Sequence, residues 1–417
     1  MESADLPVEI ERRIAELGAV DCLLTVLSYQ HARTIGAVVR GLEKGITTFF
    51  PEARALILHW DAGSTDGTVE TAAHAAGQVP LWSLTHAVAR APRAIPPVHG
   101  VPGADHALRT ICHIARAVEA RALVLIGADL RGVHEEWVDR LLRPVWRDEL
   151  DLVAPLFARP VLDGTLTSCL LYPLTRALYG ASVRHMVATE LALSRALVLR
   201  LCETPGWGRV ASRSLSLFLT TTAAAASVRL GETWLGARDE EPGDTRPDLG
   251  DIMSEVGGAA FALTELCEEA WRERGPAPPP VRLGEPALVA SEGSAASQAR
   301  MVTFFRQGLR DLQPIWEQAL APSTLGDLYS LGDLAPDEFA FSAELWARVV
   351  YDVLLAFRFR VLHRDHLLRS LVPLYFGRLA GLSREAAGLP ALRQERLLER
   401  QAQAFERGKA EFVDRWR

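Results

Sequence analysis

Two short stretches concentrate the groups in this chain that can do chemistry. The segment His59-Trp60-Asp61-Ala62-Gly63-Ser64-Thr65-Asp66-Gly67-Thr68 follows an apolar strand, and Gly127-Ala128-Asp129 ends another. A carboxylate at a strand end can accept N–H donors or hold a hard divalent cation. The same residues also have a plainer use, in which Asp61 and Ser64 cap the next helix and Asp66 forms an Asx turn at Gly67. His31 and His59 flank the first loop, where a structural role suits them better than a chemical one. His99, His106 and His113 lack the i, i+4 placement of a metal-binding helix pair. A second charged group, Arg358, Arg360, His363, Arg364, Asp365, His366 and Arg369, either steers an anionic small molecule or laces a helix end with ion pairs. Neither a serine-nucleophile elbow nor a Walker loop is present.

The elements that must position these groups follow from periodicity. Leu6–Leu17 reads as a short amphipathic helix, Cys22–Leu27 as a buried strand and Ala32–Lys44 as the returning helix. Ala55–Leu58 is a second strand, Thr68–Ala76 a helix, Leu81–Thr85 a third strand and Ala87–Gly103 a Pro-rich loop. Ala107–Val118 is helical, and Ala122–Ile126 and Leu152–Pro155 are further strands. Leu191–Leu201 and Leu215–Ala226 are helices or helix-strand mixtures, and Ser254–Arg274 is a strong helix. Strands alternating with helices at this spacing imply an α/β fold. Its sheet is mostly parallel with helices on both faces, and ligands bind such sheets beyond the carboxyl ends of the strands. Both chemical loops lie at that edge.

Composition bounds the function classes. The chain has 417 residues, 49% hydrophobic and 23% charged, enough for a large core and more than one folded unit. Its net charge of -7 and its interspersed arginines argue against a nucleic-acid binder. Cys22, Cys112, Cys169, Cys202 and Cys267 show no Cys-x-x-Cys spacing and read as small buried side chains in a reducing compartment. No apolar run is long enough to span a bilayer and no leader is evident, so a cytoplasmic, bacterial-type protein is expected. Lys44 and Lys409 are the only lysines. The expected organisation is an α/β domain over 1–255, a helix and Pro/Gly/Ser-rich linker over 256–298 and a helical domain over 299–417. A dimer through the helical tail fits the two-signed charge pattern of Ser383–Arg417.

Five segments in order carry a resemblance: Leu27-Ser28-Tyr29-Gln30 with Ala32 and Ile35, the Asp61–Thr68 loop, Leu130-Arg131 with Glu136-Trp137, Asp163-Gly164-Thr165, and Tyr172–Gly180. Together they resemble the family 2 type glycosyltransferases of GT-A fold, in the bacterial branch of mannosylglycerate synthase and glucosyl-3-phosphoglycerate synthase. The resemblance implies a Rossmann-like GT-A domain followed by a helical one. It also implies retaining transfer of a hexose from a UDP- or GDP-sugar to a small, anionic hydroxy acid. On that pattern Ser28, Tyr29, Asp61, Gly63, Ser64, Ala128, Asp129 and Arg131 hold the nucleotide, and Asp129 with Glu240 holds Mg or Mn. Glu190 lies near the sugar, while Asp163 and Arg176 shape the site floor.

Several positions depart from the family pattern. Gly127 stands where the first Asp of Asp-x-Asp is expected, and Ala104 replaces a phosphate-binding lysine beside Asp105. Ala188-Thr189-Glu190 replaces a Gly-Gly-Asp turn, Ser216 an acceptor-site Asp, and Asp239-Glu240-Glu241 an Ile-His-Asp whose His binds metal. The scaffold positions Gly63, Gly67, Trp137, Tyr172, Pro173, Arg176 and Gly180 persist. Two readings follow. One is an enzyme with an altered, metal-assisted site. The other is a catalytically silent homologue, needing no metal, that binds a nucleotide or a protein partner.

Overall fold

Apolar runs become strands, and the amphipathic stretches between them become helices. The structure, a computed structural model, describes residues 6–86, 101–204, 207, 214–241, 248–292, 294–335 and 338–417. Most of the expected Pro-rich loop, 87–100, and with it His99, lies outside the described residues. The strands are β1 (Cys22–Ser28), β2 (Ala55–Asp61), β3 (Leu81–Thr85), β4 (Ala122–Gly127), β5 (Leu152–Phe157), β6 (Leu191–Ser194), β7 (Leu230–Gly236) and β8 (Arg282–Leu283). Among the described residues they form one eight-stranded sheet in the order β3-β2-β1-β4-β6-β5-β7-β8. All neighbours pair parallel except β6, which runs antiparallel to both β4 and β5. The expected α/β class is therefore what the chain forms: a mostly parallel sheet with flanking helices, together with a helical region.

The sheet packs as its sequence requires. β1, β2 and β4 are apolar along nearly their whole length because helices cover both faces. Cys22, Leu24, Val26, Ile57, Val124 and Ile126 share one core with Val38, Val39 and Leu42 of the helix Ile35–Phe49. Trp137 and Val138 of the helix Glu135–Trp146 join the same core. Trp137 donates its indole N–H to the Leu235 carbonyl at 2.6 Å, and Arg140 reaches the Trp234 carbonyl at 2.8 Å, so that helix fixes the end of β7.

Two compact units interleave along the chain. One comprises Met1–Ala158, His185–Pro247 and Pro280–Pro286; the other comprises Arg159–Arg184, Asp248–Pro279 and Ala287–Arg417. The division expected at 255 and 298 was linear, whereas the helical unit also takes up Arg159–Arg184 and Asp248–Pro279. The stretch expected as a linker supplies β8, which pairs with β7 through Glu232 opposite Arg282 and Thr233 opposite Leu283. The region expected as a mixture at Leu191–Leu201 resolves into β6 and then the helix Arg195–Glu203, with Ser194 capping Leu197 N–H.

Within the helical unit, Trp271, Trp316, Trp346 and Trp416 are fully buried. The charged group around Arg364 is built of ion pairs: Arg358 to Glu268 at 2.7 Å, Arg364 to Glu265 at 2.5 Å, and Arg369 to Asp251 at 2.5 Å and Asp365 at 3.0 Å. Arg364 also lies 3.9 Å from the Phe357 ring centroid. Among the described residues no helix is long and apolar enough to cross a membrane.

Candidate functional site

At the carboxyl end of β1 the chain turns through Tyr29 and Gln30, and at the end of β2 through Gly63 to Gly67. Pairing of Ser28 with Asp61 brings these turns side by side. Gln30 adopts φ 60, and its N–H donates to Ser64 Oγ at 2.8 Å. The Gln30 amide exchanges hydrogen bonds with Thr65, and Ala32 N–H reaches Asp66 Oδ2 at 3.0 Å. Gly63 and Gly67 have φ 93 and 90, the left-handed region in which a side chain is costly.

Beneath the turns lies a buried polar chain. Ser28 Oγ donates to Asp61 Oδ2 at 2.9 Å and meets His59 Nε2 at 2.7 Å, while His59 Nδ1 meets Ser83 Oγ at 3.2 Å. Asp61 also accepts from Gly63 N–H, Ser64 N–H and Ser64 Oγ at 2.9, 2.7 and 2.6 Å. The Asp61 carboxylate is thus fully occupied in organising its own loop. Burial pushes the His59 imidazole down to about 4, against the pull of Asp61. Burial also lowers His31, against the carboxylates of Asp129, Asp66, Glu241 and Asp61.

A second centre forms beyond β4. Because β6 runs antiparallel to β4, with Leu191 opposite Leu125, the start of β6 lies beside the end of β4, and Glu190 faces the turn that carries Asp129. The segment after β7 returns to the same place. Arg131 N–H donates to Asp239 O at 3.0 Å and Glu241 N–H to Asp129 O at 2.8 Å, a short antiparallel pairing of 129–131 with 239–241. Thr34 Oγ1 holds the turn from the other side through the Ala128 carbonyl at 2.6 Å.

These pairings aim one guanidinium at three carboxylates. Arg238 Nη2 lies 3.3 and 3.2 Å from the two oxygens of Asp129 and 3.2 Å from Glu190 Oε1, and Nη1 pairs with Glu240. The side chain is mostly buried and sits 5.9 Å from the Phe157 ring centroid. Burial opposes its charge, yet Glu190 and Asp129 more than offset this and raise its affinity for the proton. Glu190 is fully buried; its Oε1 also accepts from Thr189 Oγ1 at 2.7 Å, while its Oε2 has no hydrogen-bond partner among the described residues.

Gly127 is part of the same geometry. A Cβ there would stand 2.5 Å from Asp129 Oδ1, 2.8 Å from Thr189 Oγ1 and 3.1 Å from Glu190 Oε1. The carboxylate expected at 127 by the family pattern would enter space that these three side chains already fill.

The structure brings most of the expected residues to one sheet edge. Ser28, Tyr29, Asp61, Gly63 and Ser64 end β1 and β2; Ala128, Asp129 and Arg131 follow β4; Glu190 and Glu240 meet Asp129 through Arg238. Arg131 points outward and pairs with Asp239 at 3.3 Å. Ala104 is buried against Ala62 and Val101, which accounts for a small apolar residue at that position. The His106 ring lies 4.9 Å from that of His86 in a tilted arrangement, with Trp60 6.3 Å away.

Asp163 and Arg176 fall in the helical unit. Asp163 is exposed in a turn, where its Oδ1 accepts Gly164 N–H at 2.9 Å. Arg176 is engaged by Glu399, by Glu406 at 2.9 Å and by Tyr172 Oη at 2.9 Å. Arg238 was not among the sequence candidates. Its only signal is a lone arginine directly before three acids, Asp239-Glu240-Glu241, in a segment that also lacks the family's histidine.

No protein-family model and no curated protein sequence matches the chain. Among solved structures it is similar to glucosyl-3-phosphoglycerate synthase from Mycobacterium tuberculosis in complex with phosphoglyceric acid, at 21% identity and TM-score 0.45, over 64% of this chain and 86% of that one. It is similar to the same enzyme with Mg2+ and uridine diphosphate at 19% identity and TM-score 0.44, over 64% and 86%. With Mn2+ and UDP-glucose the values are 21% and 0.43, over 64% and 85%. At that distance the chemistry of this chain rests on its own residues.

Proposed function

We propose that the chain is a glycosyltransferase-type protein whose cleft, at the carboxyl ends of β1, β2 and β4, receives the nucleoside diphosphate of a UDP- or GDP-sugar. The reaction that suits it is retaining transfer of the hexose to a small hydroxy acid. One observation carries this reading: the zipped turns of Gln30 and Ser64 and the Asp129–Arg238–Glu190 cluster lie at the same sheet edge, where open α/β sheets bind ligands. In this reading Ser28 and Asp61 hold the loop in shape, while Tyr29, Gly63 and Ser64 meet the base. Ala128, Asp129 and Arg131 lie toward the diphosphate and Glu190 toward the sugar. A retaining transfer in which the leaving phosphate assists the acceptor needs no protein nucleophile, so the absence of a free carboxylate at 127 is no obstacle to it.

The catalytically silent reading is favoured by a different observation. The carboxylates that would serve metal and sugar are tied to Arg238, and that of Asp61 is tied to its own loop. Calorimetry with UDP-glucose and GDP-mannose, followed by NMR detection of a glycosylated glyceric acid, separates the two. Binding with product supports the transferase; binding without product supports the silent homologue. If neither nucleotide binds at millimolar concentration, the nucleotide-site reading falls.

A further inference from the structure

The family pattern implies a divalent ion at Asp129 and Glu240, and the residues present do not fit one. Both oxygens of Asp129 and Oε1 of Glu190 lie 3.2 to 3.3 Å from Arg238 Nη2, and Glu240 meets Nη1 of the same side chain. A Mg or Mn ion bonds carboxylate oxygen at about 2.1 Å. Placed on these oxygens, it would lie within a few ångströms of a like charge in a mostly buried setting. Among the described residues, no three His, Cys, Asp or Glu side chains are arranged to hold a metal ion.

We infer that Arg238 is the resident cation of this cleft, occupying the place of a divalent ion, and that it makes the protein's fold and nucleotide binding independent of Mg2+ and Mn2+. Three features built into the chain support this. The 129–131 and 239–241 pairing fixes the guanidinium beside its partners, so the cation is delivered by the backbone and is present at every metal concentration. Phe157 supplies an aromatic face for it. Gly127 leaves room for the Asp129 and Glu190 oxygens to converge, as a side chain there would not.

The same geometry says what the carboxylates would do without Arg238. Asp129, Glu190 and Glu240 would carry three negative charges around one point, and the buried Oε2 of Glu190 already lacks a hydrogen-bond donor among the described residues. Three carboxylates left facing one another would draw in a divalent cation, and Arg238→Met, which keeps the apolar stem and removes the charge, creates that setting.

The inference rests on the nucleotide-site reading only for its ligand, and the metal measurements stand alone. In the full chain, Mn2+ titration followed by calorimetry and by the electron-spin signal of free Mn2+ is expected to show no binding in the millimolar range. The thermal midpoint should be the same in Mn2+ and in EDTA. Arg238→Met should gain roughly 100-fold or more in Mn2+ affinity, the scale set by removing a like charge a few ångströms from the ion. Its midpoint should rise on adding Mn2+. UDP affinity of the wild type should differ by less than about twofold with and without Mn2+, against the tenfold that each 1.4 kcal/mol of metal assistance would give. Mn2+ binding by the wild type overturns the inference, as does a folded Arg238→Met that gains none. If that variant does not fold, the wild-type titration decides by itself. Absence of UDP binding counts against the nucleotide reading and leaves the metal result intact.

Discussion

Arg238 Nη2 and Asp129 Oδ2 lie 3.2 Å apart although 109 residues separate them in the chain. The pair joins the turn after β4 to the turn after β7, two strands that are not neighbours in the sheet. It also sets the electrostatics of the edge. Asp129, Glu190 and Glu240 share one guanidinium, so any substitution that adds a carboxylate here acts on a cluster already rich in negative charge.

Gly127→Asp, which restores the family's first carboxylate, should therefore destabilise the protein by about 1–3 kcal/mol, through displacement of Asp129 and Thr189 and through added like charge. Gly127→Ala tests the steric part and should cost less, since it adds the Cβ without a further carboxylate. Urea unfolding at pH 7 and pH 5 separates the effects. The penalty of the Asp variant should shrink at pH 5 as its carboxyl takes a proton, and that of the Ala variant should not.

Ser28 joins a neutral imidazole to a carboxylate inside the sheet. Ser28→Ala leaves His59 Nε2 and Asp61 Oδ2 short of a buried partner and should cost about 1–3 kcal/mol. Ser64→Ala should cost less, because Ser64 is only half-buried and Asp61 keeps its backbone donors. Thermal unfolding of the two variants side by side reads the difference, and equal losses would remove Ser28 from its bridging role.

His59 gives the protein a stability that depends on pH. Its folded affinity for the proton, at about 4, lies below the ordinary histidine value of 6.5, so between these limits the unfolded chain binds more protons. The contribution is fully present above about pH 6.5 and is lost as pH falls toward 4, a total of about 3 kcal/mol. His59→Gln should flatten the stability profile in that window relative to wild type. Matching slopes in denaturant titrations at pH 7, 5.5 and 4.5 would show that His59 is not the source.

Arg176 serves the helical unit in which it lies. It is pinned by Glu399 and Glu406; burial opposes its charge, but Tyr172, Glu406 and Glu399 hold the proton on it more firmly than usual. Arg184 reaches Glu399 at 2.9 Å and Glu395 at 2.6 Å, so the helix Ala391–Trp416 is held by two arginines. Arg176→Lys loses the planar fork and should cost about 1–3 kcal/mol. Hydrogen exchange should speed up in Ala391–Trp416 and remain unchanged in β1 and β4. Faster exchange confined to β1 and β4 would instead place Arg176 in the service of the sheet.

Where local pattern carries the information, the sequence is legible. β1, β2 and β4 are runs of aliphatic residues bounded by turn formers, and the Asp61–Thr68 loop is spelled out by its Asp, Ser and Gly residues. β7 is less visible because Gly231, Glu232 and Thr233 interrupt its apolar pattern. Glu232 is nonetheless buried, since Arg282, 50 residues on, pairs with it at 3.1 Å. β8 hides in a Pro-rich stretch for the same reason: a two-residue strand is stabilised by its partner and not by its own composition.

The residues that end β1, β2 and β4 are determined by the chain itself, because strand period, glycine conformations and side-chain caps act over a few positions. Which charge neutralises Asp129 was decided only by tertiary structure. The antiparallel entry of β6 delivers Glu190, the return of the chain after β7 delivers Arg238 and Glu240, and Gly127 leaves them room to meet. Charges attract through space irrespective of sequence separation. Asp129, read along the chain as a surviving metal ligand, is in the folded molecule one of three partners of an arginine 109 residues away.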